Sequence, residues 1–155
     1  MHSLEQLRYL VLATQRDGNR ALAALLRPAG LTPAQAEVLR VLDEAAEPLT
    51  VSQIGERLVC EPGSPSRLVA SLVGAELVTR HPHPADARAT ALELTPSGRE
   101  RAQAVTAIEA RFYDDLRARL TADDRDLETA LRVLRQISGE GASSTALRRR
   151  MNRPA

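Results

Sequence analysis

Residues 72–94 read LVGAELVTRHPHPADARATALEL, and this stretch decides the fold. An apolar pattern with helical spacing ends near Glu76, and a short β-like run follows at residues 77–80. A Pro-rich turn and a second alternating run through Leu94 complete it. A helix that leads into a small hairpin is the outline of a winged helix.

Two helix starts upstream support this interpretation. Thr32 with Gln35, and Thr50 with Gln53, have the spacing of capping boxes, in which a threonine and a glutamine side chain each bond to the other's backbone N–H. A fourth helix is expected over residues 64–76. Its inward side is predicted to consist of Leu68, Leu72 and Ala75.

Long helices are predicted on both sides of this unit. Residues 4–27 carry a narrow apolar seam, and two more helices follow, capped near Thr95 and at residues 121–124. Their apolar stripes are Val105, Ile108, Phe112 and Leu116 in one and Leu127, Leu131, Leu134 and Ile137 in the other. One chain cannot easily cover all of these surfaces, so we expect a homodimer.

The predicted fold class is therefore mainly α, a winged helix-turn-helix of three helices and a β-hairpin wing, flanked by dimerisation helices. The expected divisions are an N-terminal dimerisation helix (1–30), the winged helix-turn-helix (31–99), C-terminal dimerisation helices (100–139) and a flexible or weakly helical Arg-rich tail (140–155).

Composition narrows the function. Aromatic residues are 2% of the chain, which argues against single-strand nucleic-acid binding through base stacking. The sequence offers no nucleophile–base pair, metal-ligand cluster or phosphate loop, so we expect neither an enzyme nor a cofactor. No apolar run approaches a membrane span. The single cysteine, Cys60, fits a reducing cytoplasm.

Charge is less favourable to a nucleic-acid binder. The chain carries a net charge of +1, and residues 31–100 hold six Arg against ten Asp or Glu, a local charge of −4. A DNA reader here would need its few arginines on the DNA side and its acids elsewhere.

Taken in order, residues 4–139 resemble the MarR family of winged-helix regulators. The resemblance rests on the segments LTPAQAEVL (31–39) and 51–58, then Ser64-x-x-Arg67, Leu77-Val78-x-Arg80, Asp86-x-Arg88 and Leu92-x-Leu94-Thr95-x-x-Gly98. One departure is Glu76, which stands where the family usually has the glycine that closes the recognition helix. We expect a different helix exit there, because glutamate tolerates a left-handed backbone poorly.

The resemblance implies a homodimeric transcriptional regulator, a repressor on a pseudo-palindromic double-stranded DNA operator, released by a small-molecule effector of unknown identity. The ligand pocket cannot be assigned from the sequence. The recognition-helix candidates are Ser64, Ser66, Arg67 and Ser71. Arg67 suits guanine O6 and N7, and Ser64 and Ser66 suit phosphates near the helix start.

The wing candidates are Arg80, Asp86 and Arg88. The resemblance implies that Arg88 enters the minor groove and that Asp86 orients it, although the two alone would read as a surface ion pair. Arg80 is expected to contact phosphate or to pair with an acid.

Each of the other notable polar residues has an ordinary structural explanation as well as a functional one. His81 and His83 form an incomplete zinc site and are better explained as exposed residues. Cys60 could be a redox sensor but is more typical of a small buried residue. The tail arginines Arg148, Arg149, Arg150 and Arg153 either contact DNA phosphates or belong to a disordered end.

A second function is a winged-helix module that binds protein instead of DNA, which the local charge of −4 supports. The salt dependence of binding separates the two, because a DNA reader loses affinity steeply as salt rises.

Overall fold

The computed structural model describes residues 2–59, 64–84 and 86–151, with the backbone alone at residues 86 and 87. Within these ranges the elements are α1 (Ser3–Leu26), α2 (Pro33–Asp43), α3 (Val51–Gly55), α4 (Pro65–Gly74), β1 (Val78–His83), β2 (Asp86–Leu94), α5 (Pro96–Arg119), α6 (Asp124–Ile137) and α7 (Ala142–Met151). The strands form one antiparallel hairpin. The predicted fold class, a winged helix-turn-helix with flanking helices, is confirmed.

Both predicted capping boxes are present. The hydroxyls of Thr32 and Thr50 accept the backbone N–H groups of Gln35 and Gln53 at 3.2 and 3.3 Å. In return, the two glutamine side chains accept the threonine N–H groups at 2.9 and 2.8 Å. These pairs satisfy N–H groups that a helix start otherwise leaves without partners, so they fix where α2 and α3 begin.

The core lies between α2, α3, α4, the hairpin and the first half of α5. Its largest fully buried side chains are Leu26, Val38, Leu39, Ile54, Val69, Leu72, Leu92 and Val105. The prediction for α4 is right for Leu72 and wrong for Ala75, which is exposed because the helix ends at Gly74. Val69, not named in the prediction, is the second buried anchor of α4.

The exit from α4 also corrects an expectation. Glu76 adopts the left-handed conformation with φ of 57°. The N–H of Leu77 then bonds to the carbonyl of Leu72 at 3.0 Å, and the Thr95 hydroxyl donates to the carbonyl of Glu76 at 2.8 Å. The chain therefore keeps the turn that a glycine would form more easily, and the expected change of exit is wrong.

In the hairpin, Val78 pairs with Leu94 and Pro82 with Thr90 before the register shifts between Pro82 and His83. Leu92 also donates its N–H to the carbonyl of Leu49 at 2.8 Å. This bridge attaches the wing to the segment between α2 and α3. The wing is thus held at its base, whereas its irregular part lies towards the tip.

The outer helices carry apolar side chains that one chain does not cover. Leu4 of α1 is 65% exposed, and on α6 Leu131 is 50% and Ile137 53% exposed. On α5 the predicted stripe is divided, since Val105 is fully buried and Leu116 is 41% exposed. No helix in the described ranges is both long and apolar enough to cross a bilayer.

The tail, predicted to be flexible or weakly helical, contains a helix, α7, over Ala142–Met151. Ala146 is 1% exposed. Arg149 pairs with Glu56, the residue that follows α3, and Arg150 pairs with Glu37 of α2 at 2.9 Å. These two ion pairs connect the segment to α2 and to the end of α3. Arg153 lies outside the described residues.

Candidate nucleic-acid interface

The outer face of α4 carries most of the predicted recognition residues. Ser66, Arg67 and Ser71 are exposed, and Ser64 is half-buried as the residue that precedes the helix. The other exposed residues of this face are small, because they are Ala70 and Gly74. A helix with such a face can bring its backbone close to a partner, with Arg67 as its long cationic side chain.

Gln35 is a residue that sequence reasoning placed only in a capping box. Its Nε2 donates to the Ser71 hydroxyl at 2.8 Å while its Oε1 accepts the Thr32 N–H. One side chain therefore joins the start of α2 to the outer face of α4. The link between residues 35 and 71 has no local sequence pattern, so it could not have been predicted.

The start of α4 is positioned by α3. A Cβ atom on Gly55, the last residue of α3, would lie 2.8 Å from Cγ of Pro65. The N–H of Val59 donates to the Glu37 carboxylate at 2.9 Å. The helix-turn-helix is therefore fixed by a close contact and by a buried carboxylate. Cys60, for which the sequence favoured a small buried residue over a redox sensor, lies outside the described residues.

On the wing, Arg80 is exposed and pairs across the hairpin with Leu92. Arg88 is exposed and lies beside the register shift in β2. The side chain of Asp86 lies outside the described part, so its predicted orienting role stays a prediction. The structure thus puts Arg67, Arg80 and Arg88 on exposed positions of the two elements expected to meet DNA.

Some of the acidic residues that weakened the DNA hypothesis form ion pairs within the protein. Arg40 forms ion pairs with Glu44 at 2.6 Å and with Glu109 of α5 at 3.3 Å. Glu37 and Glu56 are paired with the two arginines of α7. Arg149 and Arg150 are cations from outside residues 31–100, so their two pairs change the local charge from −4 to −2 for an approaching polyanion.

Glu109 is the titratable group whose environment is most perturbed in the described ranges. Burial between α2 and α5 raises the pKa of its carboxyl above the ordinary 4.5, because a buried charge loses solvation. Arg40 and Arg150 act in the opposite direction, and the carboxylates of Glu44 and Glu37 add to the rise. Burial is the largest of these effects.

The sequence offered His81 and His83 as an incomplete zinc site. His81 is exposed and His83 half-buried. Over the described ranges, no three His, Cys, Asp or Glu side chains come together as metal ligands.

An open cleft of about 910 Å³ lies between the α2–α3 connection and α7, with Pro48, Leu49 and Arg148 among its lining residues.

Three helices, α2 to α4, share a buried core, and the third of them keeps an exposed outer face. A hairpin follows directly. This arrangement defines a winged helix-turn-helix protein. The sequence profile of the MarR family matches residues 29–89. This match assigns the segment of residues 29–89, which holds the helix-turn-helix and most of the wing, to the MarR family of winged-helix transcription regulators.

Solved structures agree over a longer span. A mutant of MarR from E. coli complexed with operator DNA has a TM-score of 0.73 and 25% identity, covering 86% of this chain and 94% of that one. A MarR family protein of Mycobacterium tuberculosis has a TM-score of 0.62 and 27% identity, covering 85% and 93%. MepR of S. aureus, also in a DNA complex, has a TM-score of 0.74 at 21% identity, covering 86% and 97%. No curated protein sequence matches the chain.

Proposed function

We propose that this protein is a homodimeric regulator that binds a pseudo-palindromic site in double-stranded DNA and represses transcription. The observation that carries the proposal is the outer face of α4, where Arg67 projects from small residues beside an arginine-bearing wing. The DNA-bound MarR relative supports this use of the fold. Binding, and not catalysis, is the proposed activity, and a protein that reads the chromosome would act in the cytoplasm.

The proposed division of work follows the elements. Arg67 donates two hydrogen bonds to guanine O6 and N7, since its fork matches that pair of acceptors. Ser64 and Ser66 lie at the start of α4, where hydroxyl and N–H groups suit a phosphate. Ser71 lies one turn beyond Arg67 on the same face. The winged helix-turn-helix of residues 31–99 is the proposed DNA-binding domain.

The wing is proposed to extend the contact beyond the major groove. Arg88 enters the adjacent minor groove, where a narrow A·T-rich tract concentrates negative potential. Asp86 orients Arg88, and Arg80 contacts phosphate at the base of the wing.

Dimerisation is assigned to residues 1–30 and 100–139. Leu4 of α1 and Leu131 of α6, which belong to the predicted apolar stripes, are each at least half exposed in one chain. A second copy would cover them, and burial of apolar surface is favourable by about 25 cal/mol per Å². A two-fold pair also places two recognition helices at half-sites about one helical turn apart.

An effector of unknown identity would act by changing the spacing of the two recognition helices. Such a small molecule must bind the DNA-competent and released conformations unequally. A structure of a relative in its 2,4-dichlorophenol-bound form supports ligand binding in this fold. A screen for the effector would therefore score each compound by how much of the selected DNA it releases from the protein.

Selection of bound sequences from a random duplex pool tests the proposal. The full chain should recover a palindrome whose half-sites lie about 10 base pairs apart. Arg67→Ala should lose the preference for guanine at one position of each half-site, whereas Arg67→Lys should keep part of the affinity and lose part of that preference. No enrichment over the input pool would contradict the proposal.

The protein-interaction alternative is favoured by the negative charge of residues 31–100. It predicts binding without a steep salt dependence. A logarithmic plot of the DNA association constant against salt separates the two, because each neutralised phosphate contributes a slope of about −0.9.

A further inference from the structure

The C-terminal helix α7 reaches back onto the helix-turn-helix, although 113 residues separate Arg150 from Glu37. The Nη1 atom of Arg150 donates to Oε1 of Glu37 at 2.9 Å, and Arg149 pairs with Glu56 at the end of α3. Ala146 is 1% exposed, so this helix also contributes an apolar contact. We call Arg149, Arg150, Glu37 and Glu56 the C-terminal clamp.

Glu37 connects the clamp to the chain that leads into the recognition helix. Its carboxylate is 5% exposed and accepts the N–H of Val59, five residues before Ser64, at 2.9 Å. A carboxylate buried this deeply needs hydrogen-bonding or cationic partners. Arg150 supplies a cation to the same oxygen that holds Val59, so the position of that oxygen depends on α7.

Glu56 provides a second connection. It directly follows Gly55, whose Cα stands so close to Pro65 that an added Cβ would lie 2.8 Å from Pro65 Cγ. A movement of Gly55 towards α4 would therefore press on Pro65, the first residue of that helix. Arg149, by holding Glu56, restrains α3 at this point.

We propose that α7 positions the recognition helix, with Arg149 and Arg150 holding α3 and the segment after it through Glu56 and Glu37. Arg150 and Glu37 are positioning residues that act without touching DNA. Both arginines are paired with carboxylates of the helix-turn-helix. Their role in DNA binding is therefore indirect, and they do not contact phosphates themselves. The DNA part of this inference rests on the proposed function.

The first experiment is amide hydrogen exchange on the full chain and does not depend on DNA. In Arg150→Met, the N–H of Val59 should exchange on the order of tenfold faster, while core amides such as that of Leu39 keep the parent rate. Glu37→Gln, which keeps a carbonyl acceptor for Val59 but loses the charge, should accelerate exchange less than Glu37→Ala.

Arg148→Met is the matched control. Arg148 lies on the same helix but donates to the carbonyl of Gly139 and to the Thr145 hydroxyl, within its own segment. This variant removes the same charge as Arg150→Met and should leave the exchange of Val59 unchanged. Equal effects of the two arginine variants would overturn the proposal, since they would reflect net charge alone.

The second experiment measures affinity for the selected duplex across a salt series. Arg150→Met should weaken binding on the order of tenfold at fixed salt and leave the salt slope unchanged, because no phosphate contact is lost. A slope smaller by about 0.9 would mean direct phosphate contact and would overturn the positioning role. Faster exchange at Val59 with parental affinity would overturn it as well.

The failure of this inference is distinguishable from that of the proposed function. If the parent protein binds no duplex, the proposed function fails, and the exchange of Val59 still decides whether α7 holds the segment before α4. Parental exchange at Val59 in Arg150→Met would overturn the inference whatever the DNA result.

Discussion

Gly98 of α5 and Leu77, the residue just before β1, are in direct backbone contact: a Cβ atom on Gly98 would stand 1.9 Å from the carbonyl oxygen of Leu77. The same oxygen accepts the N–H of Thr95 at 3.1 Å. The first turn of the long helix that leaves the winged unit is therefore set against the beginning of the hairpin, with no room for a side chain.

Gly98→Ala should lower the free energy of unfolding by about 1–3 kcal/mol, because the added methyl group meets a backbone atom that cannot move away. Urea denaturation measures the change. Gly74→Ala is the matched control, since nothing lies within 4 Å of a Cβ there and the helix should gain about 0.5–1 kcal/mol. Parental stability of Gly98→Ala would show that α5 is not seated as described.

Glu76→Gly should stabilise the protein by about 1 kcal/mol. Glu76 holds a φ of 57°, and a residue with a Cβ is strained in that region whereas glycine is not. Glu76→Gln keeps the Cβ and removes the charge, so it should remain within about 0.5 kcal/mol of the parent. Equal stabilisation by both variants would assign the effect to charge.

Arg88→Ala should weaken binding to the selected duplex by about 1–3 kcal/mol while the dimer sediments as the parent does. Arg88→Lys keeps the positive charge but loses the planar fork, so its affinity should lie between the two. Competition assays at fixed salt measure both. Unchanged affinity in Arg88→Ala would remove Arg88 from the interface.

Leu131→Arg should raise the dimer dissociation constant at least about tenfold, because a charge would replace an apolar contact in the covered stripe of α6. Thr129→Arg adds the same charge on an exposed residue of α6 outside the stripe and should leave association intact. Sedimentation velocity over a concentration series compares them. Parental sedimentation of Leu131→Arg would contradict the assigned dimer surface.

Glu109 gives stability a pH dependence. Burial raises the pKa of its carboxyl in the fold, so its stabilising protonated form is fully present below about 4.5 and is lost as pH rises through the raised value. Relative to Glu109→Gln, the parent should therefore lose stability as pH increases across that range. Urea midpoints from about pH 4 to 7 test this, with exposed Glu100→Gln as control. A difference that grows in the parent's favour would mean that the attraction of Arg40 outweighs burial.

The features that the sequence predicted correctly depend on neighbouring residues. Thr32 and Gln35 form their capping box because both partners lie within one helical turn, and the bond is possible as soon as the helix forms. The burial of Leu72 follows from the spacing of apolar residues. The ordered set of such signals was enough to predict the winged helix.

The features that were missed depend on distant residues or on a competition between energies. The pairing of Arg150 with Glu37 joins positions that share no periodic pattern, so the tail was interpreted as flexible or weakly helical from its composition. At Glu76, the hydrogen bonds of Leu77 and Thr95 outweigh the cost of a left-handed glutamate, and a preference for glycine alone cannot show that balance. The direct test of Arg67 and the other site residues remains the duplex selection.

The hydrogen bond between Gln35 and Ser71 fixes which of the two side chains donates on the outer face of α4. Because Oε1 of Gln35 is occupied by Thr32, its amide nitrogen must be the donor and the Ser71 oxygen the acceptor. The single hydroxyl hydrogen of Ser71 is not used in this bond and is available to donate elsewhere. Guanine O6 and N7, adenine N7 and thymine O4 accept such a hydrogen, whereas the amino group of cytosine does not. In the proposed DNA complex, this hydrogen would bond to an acceptor on a base edge, and the second lone pair of the Ser71 oxygen would remain able to accept.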